Sequence, residues 1–551
     1  MRRTLVLLVS LALAAVAAAQ STVVVGTQAS TAFRPNPLWA TSIPDFAVMP
    51  LILPGLTGFD GAMQAIPDLA ADVEIAEDLT TYTFTLPADA LWSDGTPVTA
   101  ADVKFTWELR AHPTLLALPQ PPGERTNALL VAGTAEYGEG EADSISGIRV
   151  LDERTIEFTL VGPNVGFLRS ASVGILPAHV FDGLSVDEIV AHPYLELPTV
   201  TSGPYRVADY VRGEFWRLER VADHWSGEPQ VETLVVRTFA DAESLFSAID
   251  AGEIHVSLIP ANELERFEAN PRLAILRNPG LGFYVLHVNQ REPRIIDGCS
   301  ADSYQELTRP RTPLDDVLVR QAMAWALDYD EIIDVLASGA GTRIPSAIFG
   351  PAWLLDEGLT EYHYDPERAR ELLAEAGWTL EGNRLVDADG NAFRTLSYVS
   401  TSGTDFFELG VLLQDYLGAV GIPVDIRLTT SANFLPTVLD GDWDFARNAG
   451  GNFGRDPTEA TGFYVSCAGW ANAMGFSDVA FDEAMRRGAS SADLDVRAEA
   501  YLEASQRLNT LLPSLFLMTQ DQIMVADVGL ENVAGTSGSH MTWDAVRWAW
   551  R

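Results

Sequence analysis

Residue types that can carry out catalysis are present in this chain, but their spacing matches none of the common catalytic motifs. The eight histidines are scattered without an H-E-x-x-H pair, and no Cys-x-x-Cys, G-x-S-x-G or G-x-G-x-x-G motif occurs. Paired carboxylates are frequent because 76 residues are Asp or Glu, so they do not indicate a glycosidase site. The missing motifs therefore argue against an enzyme, and the sequence predicts neither a metal site nor a cofactor.

Composition narrows the class of protein and of partner. The 551 residues are 47% hydrophobic and 20% charged, which indicates a folded globular chain of two or three packed units. The formal charge of −40 gives an acidic surface that repels phosphate backbones. Nucleic acid is therefore not expected as a partner.

The first nineteen residues have the pattern of an export signal. Arg2 and Arg3 provide the positive end, an apolar run follows to Val16, and three alanines precede Gln20. The run is short of the ~20 residues that span a bilayer. We expect a cleaved signal peptide without a lipid-attachment cysteine, and a periplasmic or extracytoplasmic location.

Two cysteines, Cys299 and Cys467, remain in the chain. In an oxidising compartment such a pair is compatible with one disulfide, and two free thiols are the alternative. Their separation shows no metal-ligand spacing.

The segment at residues 81–110 contains the clearest local signals of secondary structure. Tyr82 and Phe84 alternate with threonines, which predicts a half-buried strand. A Ser-Asp-Gly-Thr-Pro turn follows, and then Thr99 and Asp102 have the spacing of a helix capping box. The segment therefore predicts a strand, a turn and a helix in direct succession.

As a whole this segment resembles the signature W-S-D-G-x-P-V-T-A-x-D-V of the extracellular solute-binding proteins of ABC importers, in the family that binds oligopeptides, dipeptides and nickel. Residues 201–259, which begin T-S-G-P-Y-R-V, and residues 364–377, which read Y-D-P-E-R-A-R-E-L-L-A-E-A-G, also resemble that family. The resemblance implies an α/β, large bilobal periplasmic-binding-protein fold, type II-like, with an extra subdomain in the first lobe.

The resemblance also implies the domain boundaries. The signal peptide occupies residues 1–19, and the first lobe begins with residues 20–57. The extra subdomain covers residues 58–197, and the first lobe continues over residues 198–282. The second lobe covers residues 283–512, and residues 513–551 return to the first lobe.

Several candidate ligand-binding residues follow from the resemblance, because family members pass these segments close to the ligand. For most of them the alternative is a structural role, in a loop or in the core. The candidates outside the segment discussed next are Thr41, Ser42, Ile43, Phe283, Tyr284 and Asp405.

Residues 441–457 depart from the family pattern. Peptide-binding relatives resemble F-D-x-x-x-x-G-W-x-x-D-x-x-x-P there, and their second Asp receives the α-ammonium of the peptide. Here Gly450 replaces the usual Trp and Phe453 replaces that Asp. Arg447, Asn448 and Asn452, together with Phe453, therefore favour a sugar or an anionic solute over a free peptide.

The resemblance implies an exported substrate-binding protein that captures a peptide or other small solute between two lobes. It would deliver this solute to the permease and ATPase of an ABC importer, and a monomer is expected. An oligosaccharide or other non-peptide ligand is the first alternative, and a bound metal chelate remains open. An exported receptor or chaperone without transport is the second alternative.

Overall fold

The computed structural model describes residues 22–28, 34–40, 42–60, 64–117, 130–292, 301–351, 353–401, 404–450, 456–467, 472–535 and 541–551. They fall into two compact units. Unit 1 extends to Asn278 and resumes at Gln522, whereas unit 2 spans Pro279–Asp521. The chain therefore passes twice between the units.

Unit 1 is built on a mixed sheet of seven strands. The strand Thr22–Gln28 pairs in parallel with Thr233–Phe239 and with Val256–Ile259, and the other pairings are antiparallel. In spatial order the strands are Leu273–Asn278, Gln522–Asp527, Val256–Ile259, Thr22–Gln28, Thr233–Phe239, Phe215–Arg220 and Tyr205–Val211.

The segment at residues 81–110 forms the predicted strand, turn and helix. The strand Thr81–Thr85 buries Tyr82 and Phe84, and the helix Ala100–Arg110 begins after the capping box. The Asp102 carboxylate accepts hydrogen bonds from the backbone N–H and hydroxyl of Thr99. This strand belongs to an antiparallel sheet in the order Asp72–Ile75, Thr81–Thr85, Thr155–Thr159 and Ile148–Val150.

The remaining elements of unit 1 are short helices and two-stranded pairs around these sheets. The helix Ala242–Ala251 ends at Gly252, whose φ of 80° is the left-handed conformation expected of a helix-terminating glycine. The other helices are Ile43–Ile52, Pro113–Leu116, Thr134–Gly138, Phe167–Ser170, Val186–Val190 and Leu264–Glu268, with 3₁₀ turns at Ala178–Phe181, Pro193–Leu195, Ala261–Glu263 and Ala545–Arg547. The strand pairs are Thr57–Phe59 with Ala65–Pro67 and Leu530–Glu531 with Ala549–Trp550.

Unit 2 contains a six-stranded sheet covered by helices. In spatial order the strands are Gly341–Arg343, Ser514–Gln520, Phe283–Val288, Phe445–Gly450, Leu396–Thr401 and Val424–Thr429. The helices are Ala301–Leu307, Val317–Ala326, Tyr329–Ala337, Pro366–Glu375, Thr404–Ala419, Ser431–Asp440, Thr461–Tyr464, Val479–Ala489 and Leu494–Leu511, with a 3₁₀ turn at Pro457–Ala460. Two strand pairs, Arg291–Glu292 with Arg309–Pro310 and Thr379–Glu381 with Arg384–Val386, complete the unit.

The boundary predicted at residue 513 needs correction. The strand Ser514–Gln520 pairs with Phe283–Val288 and with Gly341–Arg343, so it lies inside the unit 2 sheet. The return to unit 1 begins at Gln522. The strand is buried on both faces, and such a continuous apolar pattern does not reveal which sheet a strand joins.

Two predictions concern residues outside the described ranges or only partly inside them. The signal peptide at residues 1–19 lies outside. Cys467 is described and carries no free thiol, whereas its predicted partner Cys299 lies outside, so their pairing stays a prediction. Within the described ranges, none of the helices combines the length and apolarity needed to cross a membrane.

Candidate functional site

One edge of the unit 2 sheet has the geometry of a ligand-binding edge. The strands Leu396–Thr401, Val424–Thr429, Phe445–Gly450 and Ser514–Gln520 run in one direction, so their carboxyl ends meet there. The amino end of the antiparallel strand Phe283–Val288 lies at the same edge. Open α/β sheets bind ligands outside the carboxyl ends of their strands.

Four side chains converge at this edge, and we call them the edge cluster: Tyr284, Phe406, Arg447 and Gln520. The Tyr284 hydroxyl donates to Oε1 of Gln520 at 2.8 Å. The rings of Tyr284 and Phe406 stack with centroids 6.3 Å apart, and the Arg447 guanidinium lies over the Phe406 ring. The cluster thus joins three strands or strand ends to the first turn of the helix Thr404–Ala419.

The register of the sheet explains why Tyr284 and Arg447 meet. Arg447 pairs directly with Leu286, which is two residues from Tyr284 on the neighbouring strand. Side chains two residues apart on a strand point to the same face. Tyr284 and Arg447 therefore share one face, close to the strand ends.

The edge cluster combines three kinds of recognition group. Arginine presents a planar fork of donors that matches a carboxylate. A tyrosine hydroxyl and a glutamine amide can each donate and accept hydrogen bonds. The aromatic faces suit an apolar or sugar ring. The cluster is thus chemically suited to a polar solute that carries negative charge or hydroxyl groups.

Phe283 does not join this cluster, although the family resemblance implies a place for it in the pocket. Its side chain has no exposed surface and packs in the hydrophobic core of unit 2. Because neighbouring strand residues point to opposite faces, Tyr284 and Phe283 could not both face the edge cluster. Phe283 therefore has the structural role that was its alternative.

Ser42 and Ile43 lie at the start of a helix in unit 1. Ser42 is the N-cap of Ile43–Ile52, and its hydroxyl and backbone N–H donate to the Asp45 carboxylate at 2.7 and 2.9 Å. Ile43 is 41% exposed. The Ser42 hydroxyl is engaged in capping, whereas the Ile43 side chain has surface available to a solute.

The other predicted ligand contacts fall wholly or partly outside the described residues. Thr41, Asn452 and Phe453 lie outside them. Asp405 and Asn448 have described backbones, in the helix Thr404–Ala419 and the strand Phe445–Gly450, but their side chains are outside the description. Their roles stay predictions.

Asp444, which follows Trp443 and stands at the first Asp of the family pattern, has a structural role here. Asp444, 3% exposed, accepts hydrogen bonds from both Nη atoms of Arg394 at 2.7 and 2.8 Å and from Nε of Arg311 at 3.1 Å. The backbone N–H of Ser397 also donates to it at 2.8 Å. Burial opposes ionisation, but these donors and charges prevail and lower the pKa of Asp444. Asp444 therefore links the starts of two neighbouring strands, Leu396–Thr401 and Phe445–Gly450.

Asp456, which the sequence retains before Pro457, also holds structure together. Its carboxylate forms two hydrogen bonds with Nη2 of Arg497, at 2.8 and 3.0 Å, and accepts the backbone N–H of Thr458. This carboxylate is therefore already committed to a protein cation, and it does not replace the Asp that the family pattern has three positions earlier.

Sequence reasoning missed two members of the edge cluster. Phe406 follows the predicted contact Asp405 directly, but the resemblance did not mark it as a ligand contact. Gln520 was missed because its strand was assigned to the first lobe. The available signal was the polar side chain of Gln520 at the end of an otherwise apolar strand.

No metal centre accompanies these residues in the described part of the chain. No group of three or more His, Cys, Asp or Glu side chains there is arranged to hold a metal ion.

Comparison with known proteins places the chain in a family. The profile of the bacterial extracellular solute-binding proteins, family 5 Middle, matches residues 64–472. A Brucella ovis protein provisionally named as an ABC transporter peptide-binding protein is 28% identical over 345 residues, which cover 62% of this chain and 58% of that protein. The dipeptide-binding protein of Escherichia coli is 24% identical over 467 residues, which cover 83% of this chain and 81% of that protein.

The fold comparison covers nearly the whole chain. The Bacillus subtilis oligopeptide-binding protein AppA, solved in complex with a nonapeptide, superposes with a TM-score of 0.71 at 20% identity. The superposition covers 96% of this chain and 99% of AppA. The predicted α/β periplasmic-binding-protein fold is thereby confirmed, and the chain belongs to the bacterial extracellular solute-binding proteins of family 5.

Proposed function

We propose that this protein is the solute-capturing component of an ABC importer, exported from the cytoplasm, which delivers its ligand to a membrane permease and its ATPase. Family membership and the names of the relatives support this role. The edge cluster supports it physically, because it groups recognition side chains at the sheet edge where ligands bind in such folds. The ligand emerges chemically unchanged, since the proposed task is binding and release.

A ligand that contacts both lobes would favour a closed arrangement, because it gains its full set of contacts only there. The location of the ligand between two lobes is carried over from the resemblance and stays part of the proposal. The permease would then recognise the liganded form.

We propose further that the ligand is a small solute with a carboxylate, and not a peptide with a free amino terminus. Arg447 is the observation that carries this step, since its guanidinium lies within the edge cluster. Phe453 supports it, because it stands where the family pattern has the Asp that pairs with a peptide ammonium. Leaving an ammonium buried without a partner costs several kcal/mol.

A neutral oligosaccharide is the second candidate. The stacked rings of Tyr284 and Phe406, together with the Gln520 amide, offer the aromatic and hydrogen-bonding surface that sugars use. Replacement of Arg447 separates the two candidates, because a sugar does not depend on the guanidinium charge.

The test is a thermal-shift screen of the purified mature protein against small carboxylates, oligosaccharides, and tripeptides with free or acetylated amino termini. A ligand at a hundred times its Kd stabilises the folded state by about 2.7 kcal/mol. We expect carboxylates to raise the unfolding midpoint and free tripeptides to leave it unchanged. Stabilisation by free tripeptides alone would contradict the assignment of the ligand class.

Arg447→Gln is the variant that tests the carboxylate contact. A hydrogen bond to a charged group contributes about 1.5 to 3 kcal/mol, so affinity for the carboxylate should fall roughly ten- to a hundredfold. Arg427→Gln is the matched control, because Arg427 is an exposed arginine of the same sheet that pairs with Asp442. Equal losses in the two variants would rule out a specific role for Arg447.

Phe453→Asp restores the acidic residue of the family pattern. On our proposal it increases affinity for free tripeptides but not for the acetylated ones, as measured by isothermal titration calorimetry. Leu494→Asp adds the same charge at an exposed helix start and should have no such effect. An unchanged peptide affinity in Phe453→Asp would count against our reading of this position.

Uptake distinguishes the importer from an exported receptor or chaperone. Deletion of the gene should abolish accumulation of the labelled ligand in cells, and the wild-type gene should restore it. Binding in vitro without any effect on uptake would favour the receptor.

A further inference from the structure

Unit 2 contains a cavity of about 210 Å³ that lies away from the edge cluster. Gln290, which lines it, follows the carboxyl end of the strand Phe283–Val288, whereas Tyr284 of the edge cluster lies at the amino end. At about 3.3 Å per residue, these two positions are roughly 20 Å apart along the chain. The cavity is therefore at the opposite end of the strand from the proposed ligand site.

One amide nitrogen in the cavity wall is buried and has no hydrogen-bond partner in the described part of the chain. Gln290 is 7% exposed, and its Nε2 makes no hydrogen bond to any residue that the structure describes. Its backbone is held on both sides, because its N–H donates to Met474 O at 2.8 Å and its C=O accepts from the Arg311 N–H. A buried amide donor that is fixed in place normally has an acceptor within reach. The Gln290 side chain therefore points to an occupant that accepts hydrogen bonds.

A buried guanidinium lines the same cavity. Arg320 is 4% exposed, and it donates from Nε to Leu511 O at 2.9 Å and from Nη1 to Leu314 O at 2.7 Å. Both acceptors are backbone carbonyls, and no carboxylate of the described ranges forms an ion pair with this guanidinium. Burial lowers the pKa of Arg320 to about 10, while the charges of Asp315 and Asp316 act in the opposite direction. The group stays protonated at neutral pH.

Two carboxylates also line the cavity, and they differ in the hydrogen bonds and ion pairs that they form. Asp478 pairs with Arg507 through both carboxylate oxygens and caps the helix Val479–Ala489. Asp315 is half-buried beside it in the lining, in the segment that leads into the helix Val317–Ala326. Asp315 is therefore the wall carboxylate suited to meet an ammonium group.

We propose that this cavity is a second binding site, for a small molecule whose carboxylate accepts hydrogen bonds from Gln290 and Arg320. An α-amino acid is the form that also offers an ammonium to Asp315, whereas a simple carboxylate such as acetate uses the donors alone. The cavity volume of about 210 Å³ is large enough to admit a small amino acid. This site is independent of the imported ligand.

Binding there would tie together three segments of unit 2. Gln290 follows a central strand, Arg320 lies on the helix Val317–Ala326, and the Leu511 carbonyl ends the helix Leu494–Leu511. An occupant bound by the first two would stabilise unit 2 by mass action. The protein would therefore respond to small carboxylates even when its import ligand is absent.

The experiment titrates the full mature chain with acetate, glycine and alanine up to roughly 50 mM, well above any specific Kd for such a site. Thermal unfolding and calorimetry report binding, and crystals soaked with alanine report the location. We expect a saturable rise of the midpoint with glycine or alanine, a weaker rise with acetate, and none with ethylamine.

Three variants assign the site. Gln290→Leu should weaken binding at least tenfold, and Gln290→Glu should abolish it, since the new carboxylate occupies the position of the ligand and pairs with Arg320. Asp315→Asn should remove the preference for amino acids over acetate. Arg427→Gln should leave all of these affinities unchanged, because Arg427 is exposed and does not line the cavity.

The proposal is overturned if none of the three molecules shifts the midpoint, if Gln290→Leu binds as well as the wild type, or if soaked crystals show only ordered water in the cavity. Binding that is lost in Arg447→Gln but kept in Gln290→Leu also overturns it, while leaving the proposed importer function intact. If import failed while the cavity still bound amino acids, the proposed importer function would be overturned and the cavity proposal would stand.

Discussion

The buried His287 should make unit 2 sensitive to mild acid. It lies in the central strand Phe283–Val288, is 6% exposed, and has its Nδ1 2.7 Å from Oγ of Ser514. Burial lowers its pKa from 6.5 to about 3, because the charged imidazolium is poorly solvated in the core. The folded protein therefore resists a protonation that the unfolded chain accepts readily.

The sign and size of the effect follow from proton linkage. Above pH 6.5 neither state binds this proton, so the stabilisation by a neutral His287 is fully present. As the pH falls from 6.5 towards about 3, the unfolded chain gains the proton first, and stability is lost. At pH 5 the loss attributable to His287 is about 2 kcal/mol.

The assay compares urea unfolding of the wild type and of His287→Asn at about pH 7 and about pH 5. Asparagine places a polar atom near Nδ1 but does not titrate in this range. The variant should lose about 2 kcal/mol less than the wild type between the two pH values. Any constant cost of the substitution cancels in that difference.

His363→Asn is the control, since His363 is an exposed histidine of the same unit. It should show the pH dependence of the wild type. An equal loss of stability in the wild type and in His287→Asn would refute the reasoning, because the buried imidazole would then not be responsible for acid sensitivity.

Two further substitutions test packing and charge in unit 2. Gly280→Ala would place Cβ 1.7 Å from the backbone oxygen of Gln520, so it should destabilise the unit by about 3 kcal/mol or more in urea unfolding. Gly418→Ala is the control. Its Cβ meets nothing within 4 Å, so it should be neutral or slightly stabilising. A neutral Gly280→Ala would show that this close approach is not required. Asp444→Asn should cost about 2 to 4 kcal/mol near neutral pH, since it leaves two arginines without their shared anion. Because the pKa of Asp444 is lowered, its contribution to stability is present above about pH 4 and is lost as the pH falls further. The free energies of unfolding of wild type and variant should therefore converge in acid. A difference that stays constant with pH would argue against the ion pair.

Local chemistry made many elements predictable. The capping box of Thr99 and Asp102 starts a helix where the sequence places it, and Gly252 ends another. In the helices Val317–Ala326 and Tyr329–Ala337 the buried apolar residues recur at helical spacing. These signals involve residues within a few positions of each other, so they can be read without knowing the fold.

The family resemblance predicted more of the architecture than the hydrophobic periodicity did. Periodicity identified strands and helices, but the bilobal fold class came from the long motif matches at residues 81–110 and 201–259. The family profile and the superposition with solved relatives support that assignment. Site residues transferred less well, because neighbouring positions on one strand point to opposite faces, as Phe283 and Tyr284 do.

The sequence by itself determined the helix boundaries that depend on caps, the alternation of the strands and, through its motifs, the family. Only the tertiary structure decided that Ser514–Gln520 joins unit 2, that Gln520 meets Tyr284, and that Gln290 and Arg320 face one cavity. Each of these pairs residues far apart in the chain, and no local pattern encodes such a pairing. Such a pairing depends on the register of the strands and on which buried faces pack together when the sheet forms.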